Sequence, residues 1–99
     1  MEAPSATLQG IGDRLREARR TAGLTQEQVA DLAGISRPRY RDIETGVAAA
    51  RASTLMNVAR ALGLEVMLVP QAMIPAVRAL LQPQHDDDDD LPAFVPQGD

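Results

Sequence analysis

Apolar residues along this chain recur first at helical and then at strand spacing, so the pattern predicts a small helical domain closed by one strand. Leu8, Ile11, Leu15, Ala18 and Ala22 lie three or four residues apart, which stacks them on one face of a helix that Gly23 ends. Thr25 and Gln28 form a capping box, and Leu24 with Val29 a hydrophobic staple, so a second helix starts at Thr25 and stops near Gly34. Ser36 caps a third helix with Pro38 in its first turn, where the missing N–H costs nothing. Tyr40 and Ile43 point inward from it until Gly46 ends it. A fourth is expected over residues 53–62, with Leu55, Val58, Ala59 and Leu62 as its stripe and Gly63 as its stop.

Residues 64–69, L-E-V-M-L-V, are rich in branched side chains and closed by Pro70, which reads as a strand. A single strand cannot satisfy its own N–H and C=O groups, and no other segment reads as a strand. Its natural partner is the same segment of a second copy, which makes Leu64, Val66, Met67, Leu68 and Val69 the expected interface of a homodimer. The alternative is irregular packing or an extension of the fourth helix. From Met73 to Leu81 helical spacing returns in a short fifth helix. The expected divisions are therefore a domain over 7–70, a short helix within 71–83 and an acidic, disordered tail over 84–99.

Charge changes this picture by its distribution. Residues 1–83 carry all 10 Arg and 8 acids, a balance of 10 − 8 = +2, whereas 84–99 carry 6 Asp and no base. The net charge of −4 thus belongs to the tail. All the bases are Arg, which favours bidentate contacts with phosphate and guanine. The absence of Cys excludes disulfides, thiolate metal sites and thiol nucleophiles. No nucleophile–base pair, ligand cluster or phosphate-binding Gly loop stands out, so neither an enzyme nor a metal or cofactor protein is expected. The opening residues lack the basic and apolar regions of a signal peptide, and the longest uncharged run, 66–77, is too short to span a bilayer, which predicts a cytoplasmic protein without a membrane partner.

The chemistry concentrates in T-Q-E-Q-V-A-D-L-A-G-I-S-R-P-R-Y-R-D-I-E-T-G, residues 25–46, where two short helices are joined only by Gly34, Ile35 and Ser36. A small residue in the first helix, a Gly in the turn and apolar residues in the second are what a helix-turn-helix needs, and Ala30, Gly34, Ile35, Tyr40 and Ile43 supply them. Through R-L-R-E-A-R-R-T-A-G-L-T-Q-E-Q-V-A-D-L-A-G-I-S and I-E-T-G, the chain resembles the phage-repressor-like helix-turn-helix family of XRE or Cro/cI type over residues 11–62. The resemblance implies a transcriptional repressor that binds double-stranded DNA at a palindromic operator. It assigns Gln26 to the DNA backbone, makes Ser36 at the head of the recognition helix a DNA-binding residue, and makes Arg37, Arg39, Arg41 and Asp42 groove-facing, with Arg37 foremost among base readers. It also pairs Glu44 with Arg19, a structural contact. Pro38 departs from the polar residue usual at its position. An Arg-rich helix face is most often merely solvated, and this context is what turns it toward DNA; Arg16, Arg20 and Arg51 are read as solvent-exposed, with contacts to the DNA backbone as the alternative.

A repressor-type domain followed at once by A-L-G-L-E-V-M-L-V-P is similar to antitoxins of HipB type. That implies strand-paired dimers and a kinase toxin of HipA type as partner, with a stand-alone regulator as the alternative. In the tail, His85 beside the run of aspartates 86–90 lacks fixed ligand geometry and is read as solubilising. Leu91, Phe94 and Val95 have the makings of a docking motif for the toxin.

Overall fold

The computed structural model describes residues 6–82, and the tail with its docking residues Leu91, Phe94 and Val95 lies outside them. Five α-helices and a 3-10 turn follow one another: α1 (Ala6–Ala22), α2 (Gln26–Ala33), α3 (Arg37–Glu44), α4 (Ala52–Ala61), the turn Gln71–Met73 and α5 (Ile74–Leu81). The described residues fall into two units that divide after Met67. The first holds α1 to α4, and the second holds the turn and α5.

The caps sit where the sequence puts them. Thr25 Oγ1 accepts from the Gln28 N–H at 3.1 Å while Gln28 Oε1 accepts from the Thr25 N–H at 2.8 Å, so the capping box satisfies two of the donors a helix start leaves orphaned. Ser36 Oγ accepts from the Arg39 N–H at 3.2 Å and starts α3 in the same way. Between these helices Gly34 turns the chain at φ 74°, and its N–H and that of Ile35 close onto the carbonyls of Asp31 and Ala30.

Leu15, Val29, Ala30, Tyr40, Ile43, Val58 and Leu62 form the core of the first unit, with Ile11, Ala18, Leu24, Ile35, Leu55 and Leu64 packed around it. α2 packs on both α3 and α4, and α1 on α3. The expected inward set of α1 fails at its end: Ala22 is exposed, because α1 outruns the core one turn beyond Ala18. Inward-facing Gly12, in contrast, lets α1 touch α3 backbone to backbone. A Cβ there would overlap the Glu44 carbonyl oxygen and stand 3.0 Å from that of Ile43.

Residues 64–70 form neither helix nor strand. The strand expected at 64–69 is absent from the single chain because no other strand exists among the described residues to give it a ladder. The segment leaves the core at half-buried Leu64 and then becomes exposed, to 73% at Met67 and 98% at Leu68. The helix expected from Met73 to Leu81 is present, with Met73 itself in the 3-10 turn; Leu80 and Leu81 are exposed on it.

Candidate nucleic-acid interface

α3 is eight residues long and shows one side to the core and the other to solvent. Tyr40, Ile43 and Glu44 are buried; Arg37, Pro38, Arg41 and Thr45 are exposed. A helix turns about 100° per residue, so Arg37 and Arg41 stand about 40° apart around the axis while Arg39 lies about 160° from either. The three arginines of the sequence motif are therefore two sets. Arg37 has no hydrogen bond or ion pair among the described residues, and the nearest carboxylate oxygen to Arg41, from Asp42, is 3.9 Å away. Arg39 instead turns to the segment after α3, where its Nη2 donates to the Ala49 carbonyl at 2.9 Å.

The inner side of α3 is anchored by a buried carboxylate. Glu44, 4% exposed, receives Arg19 side-on, Nε to Oε1 at 2.8 Å and Nη2 to Oε2 at 3.0 Å, which is the pair the family resemblance implied. Two further donors were not expected. The Tyr40 hydroxyl donates to Oε1 at 2.6 Å and Gln26 Nε2 donates to Oε2 at 3.1 Å, so side chains from α1, α2 and α3 converge on one group. Arg19 also donates to the Leu24 carbonyl at 3.0 Å, tying the α1–α2 connection into the cluster. Burial would push the Glu44 carboxyl up, but the hydrogen bonds from Arg19, Tyr40 and Gln26 outweigh it and hold it below the usual carboxylate range. The Arg19 guanidinium is pushed up by its hydrogen bond to Glu44, and the Tyr40 phenol is pushed up by burial and by donating to that carboxylate.

Gln26, assigned from sequence to the DNA backbone, is thus positioned from inside by Glu44, with a second amide N–H and its oxygen left over. Ser36 is occupied as a cap, and its hydroxyl sits at the start of the helix bearing Arg37. Asp42 is half-buried, with its backbone carbonyl accepting from Val47 and Ala48. Among the described residues there is no group of three or more His, Cys, Asp or Glu able to hold a metal, and no helix long and apolar enough to cross a membrane.

A short capped helix, a glycine turn and a second helix locked by its inner face onto the first four-helix unit match a family model described as helix-turn-helix across residues 15–68. The chain belongs to this helix-turn-helix family. A curated relative, the uncharacterised HTH-type transcriptional regulator y4dL of Sinorhizobium fredii, is 34% identical over 71 residues, which is 72% of this chain and 36% of that protein. This chain therefore spans about a third of that relative's length. The restriction-modification controller protein C.AhdI of Aeromonas hydrophila superposes with TM-score 0.60 at 36% identity, covering 62% of this chain and 92% of that one. A toxin-antitoxin module of Streptococcus pneumoniae superposes with TM-score 0.57 at 29% identity, over 66% of this chain and 71% of that one.

Proposed function

We propose that the protein is a sequence-specific DNA-binding repressor that lays the N-terminal half of α3 in the major groove. The observation that carries this reading is the division of α3, whose inner side is fixed by Glu44 while Arg37 and Arg41 stand exposed and without close carboxylate partners on the outer side. Arg37 is the base reader, through bidentate contact with guanine O6 and N7, and Arg41 and Asp42 flank it. Gln26 and Ser36 meet the phosphate backbone at the two helix starts. Two copies paired through Leu64, Val66, Met67, Leu68 and Val69 would present two such helices to successive major grooves of a palindromic operator, and the exposure of Val66, Met67 and Leu68 in the single chain supports this.

In its finer form the protein is the antitoxin of a toxin–antitoxin pair, with a HipA-like kinase as the toxin. The likeness to the Streptococcus pneumoniae toxin-antitoxin module supports this form, and the likeness to a restriction-modification controller supports a regulator without a toxin. Selection of a preferred site from random duplexes, followed by mobility-shift titration, tests the core of the proposal. Arg37→Ala should cost about 1–3 kcal/mol and relax preference at one position, and unaltered affinity in the Arg37→Ala, Arg41→Ala double variant rejects it. Purification from the native operon separates the two forms, because only the antitoxin brings down a kinase-like partner.

A further inference from the structure

Where the family resemblance puts a polar residue, this chain has Pro38, exposed and left unused by the contacts proposed so far. It occupies the second position of α3 and removes no needed donor there, because the Ser36 hydroxyl caps the next N–H, that of Arg39, at 3.2 Å. A proline in a first turn starts a helix whichever way it points, so direction is what distinguishes this one. At about 100° per residue, Pro38 stands about 160° around the axis from Tyr40, about 140° from Ile43 and about 120° from Glu44, the three buried residues of α3. No other residue of α3 is as much as about 120° from all three, so Pro38 heads the outermost line of the helix. Exposed Arg37 and Arg41 flank that line on one side, and half-buried Asp42 continues it one turn further on.

We propose that Pro38 reads the C5-methyl group of a pyrimidine in the major groove, beside the guanine of Arg37. The inference rests on the DNA-binding reading and names a second base feature for the same helix. A helix rises about 1.5 Å per residue and stacked base pairs about 3.4 Å, so the contacts of neighbours 37 and 38 fall on the same or adjoining pairs. The pyrrolidine ring has neither donor nor acceptor. Against adenine N6, guanine O6 or cytosine N4 it would strip water from a polar group and return no hydrogen bond. The apolar group that base edges show in the major groove is the C5-methyl of thymine, and 5-methylcytosine carries the same group at the same place. The ring is also rigid, so seating it on a methyl group costs no rotamer freedom, and the Ser36 cap fixes where it stands.

The test uses the full chain and its preferred duplex, in which Arg37→Ala locates the guanine by the position whose preference relaxes. The pairs at and beside that guanine are rebuilt to carry thymine, deoxyuridine, cytosine or 5-methylcytosine in turn. Thymine differs from deoxyuridine, and 5-methylcytosine from cytosine, by one methyl group alone. At one position the methylated base should bind about fourfold tighter than its unmethylated counterpart, the worth of one buried methyl group. The tighter of thymine and 5-methylcytosine tells which pyrimidine the site carries. In Pro38→Ser that ratio should fall to near one while the preference for guanine stays. Equal binding of methylated and unmethylated bases by the wild type overturns the inference, as does a ratio that Pro38→Ser leaves intact. A wild-type chain without affinity for any duplex, or one in which Arg37→Ala relaxes no position, overturns instead the reading on which it rests. Pro38 is exposed and the Ser36 cap bypasses it, so Pro38→Ser should keep its fold in thermal melts, and the comparison of bases in the wild type needs no variant.

Discussion

Arg39 and Ala49 are joined by a 2.9 Å hydrogen bond from guanidinium to backbone carbonyl, across the turn that leaves α3. An arginine two residues from Arg37, the proposed base reader, thus faces its own fold, and its charge should count for little at the DNA. Replacing Arg39 by Ala should change the affinity for operator and random duplexes little, leave the preferred base at every position as it was, and keep the salt slope of the wild type. A relaxed preference at one position, read from site selection with the variant, would assign Arg39 to the bases after all.

The buried carboxylate makes a strong stability prediction. Arg19→Ala leaves Glu44 buried without its cation, so about 3–5 kcal/mol should be lost in urea unfolding. Tyr40→Phe removes one donor to the same group and should cost about 1–3 kcal/mol. The two losses should not add, because both act through Glu44; additive losses in the double variant would show that the cluster does not work as a unit.

The same group sets a pH dependence. The folded-state pKa of Glu44 is lowered, so its contribution is full above the unfolded value, about 4.3, and disappears as pH falls through the folded one. Thermal midpoints should therefore drop on acidification below about pH 4, and Glu44→Gln should flatten that drop while lowering stability at neutral pH. The Tyr40 phenol has the opposite sign: its raised pKa adds stability that is present below the unfolded value, about 10, and declines as pH rises beyond it. An alkaline loss that persists in Tyr40→Phe would contradict this assignment.

Gly12→Ala introduces a single methyl group where the backbones of α1 and α3 meet, with a Cβ 2.7 Å from the Glu44 carbonyl carbon. Helix propensity alone favours Ala by about 1 kcal/mol, so a net loss of stability in calorimetry isolates the contact. Gly10→Ala, on the same helix with open space around it, should instead be neutral or stabilising.

The exposed run at Val66, Met67 and Leu68 should be covered by a second copy. Met67→Asp with Leu68→Asp should shift sedimentation toward the monomer and weaken binding to a palindromic site more than to a half-site. A wild-type chain that remains monomeric at micromolar concentration removes the dimer from the reading.

The helix starts were legible in the sequence because they are local: Thr25 and Gln28 cap each other over three residues, and Ser36 reaches only to Arg39. The Arg19–Glu44 pair spans 25 residues and was legible only through family resemblance. Residues 64–69 form no strand in the single chain because branched side chains report β-propensity whether or not a ladder partner is present in the same chain. Two signals were available and unread. An isolated Gly12 inside a helical pattern marks a close backbone approach, and Tyr40 with Glu44 is an i, i+4 pair on one helix. The family resemblance groups Arg39 with Arg37 and Arg41, whereas the helical turn of about 100° per residue sets it apart from both.

The backbone contact at Gly12 has a consequence for how such a protein acquires new targets. The tilt of α3 against α1 is set there by main-chain atoms and by Glu44, none of which faces outward. In the proposed interface, residues 37, 38 and 41 are then free to vary without disturbing the angle at which the helix is presented. Retargeting to another operator becomes a matter of exchanging a few side chains on a scaffold whose aim does not drift.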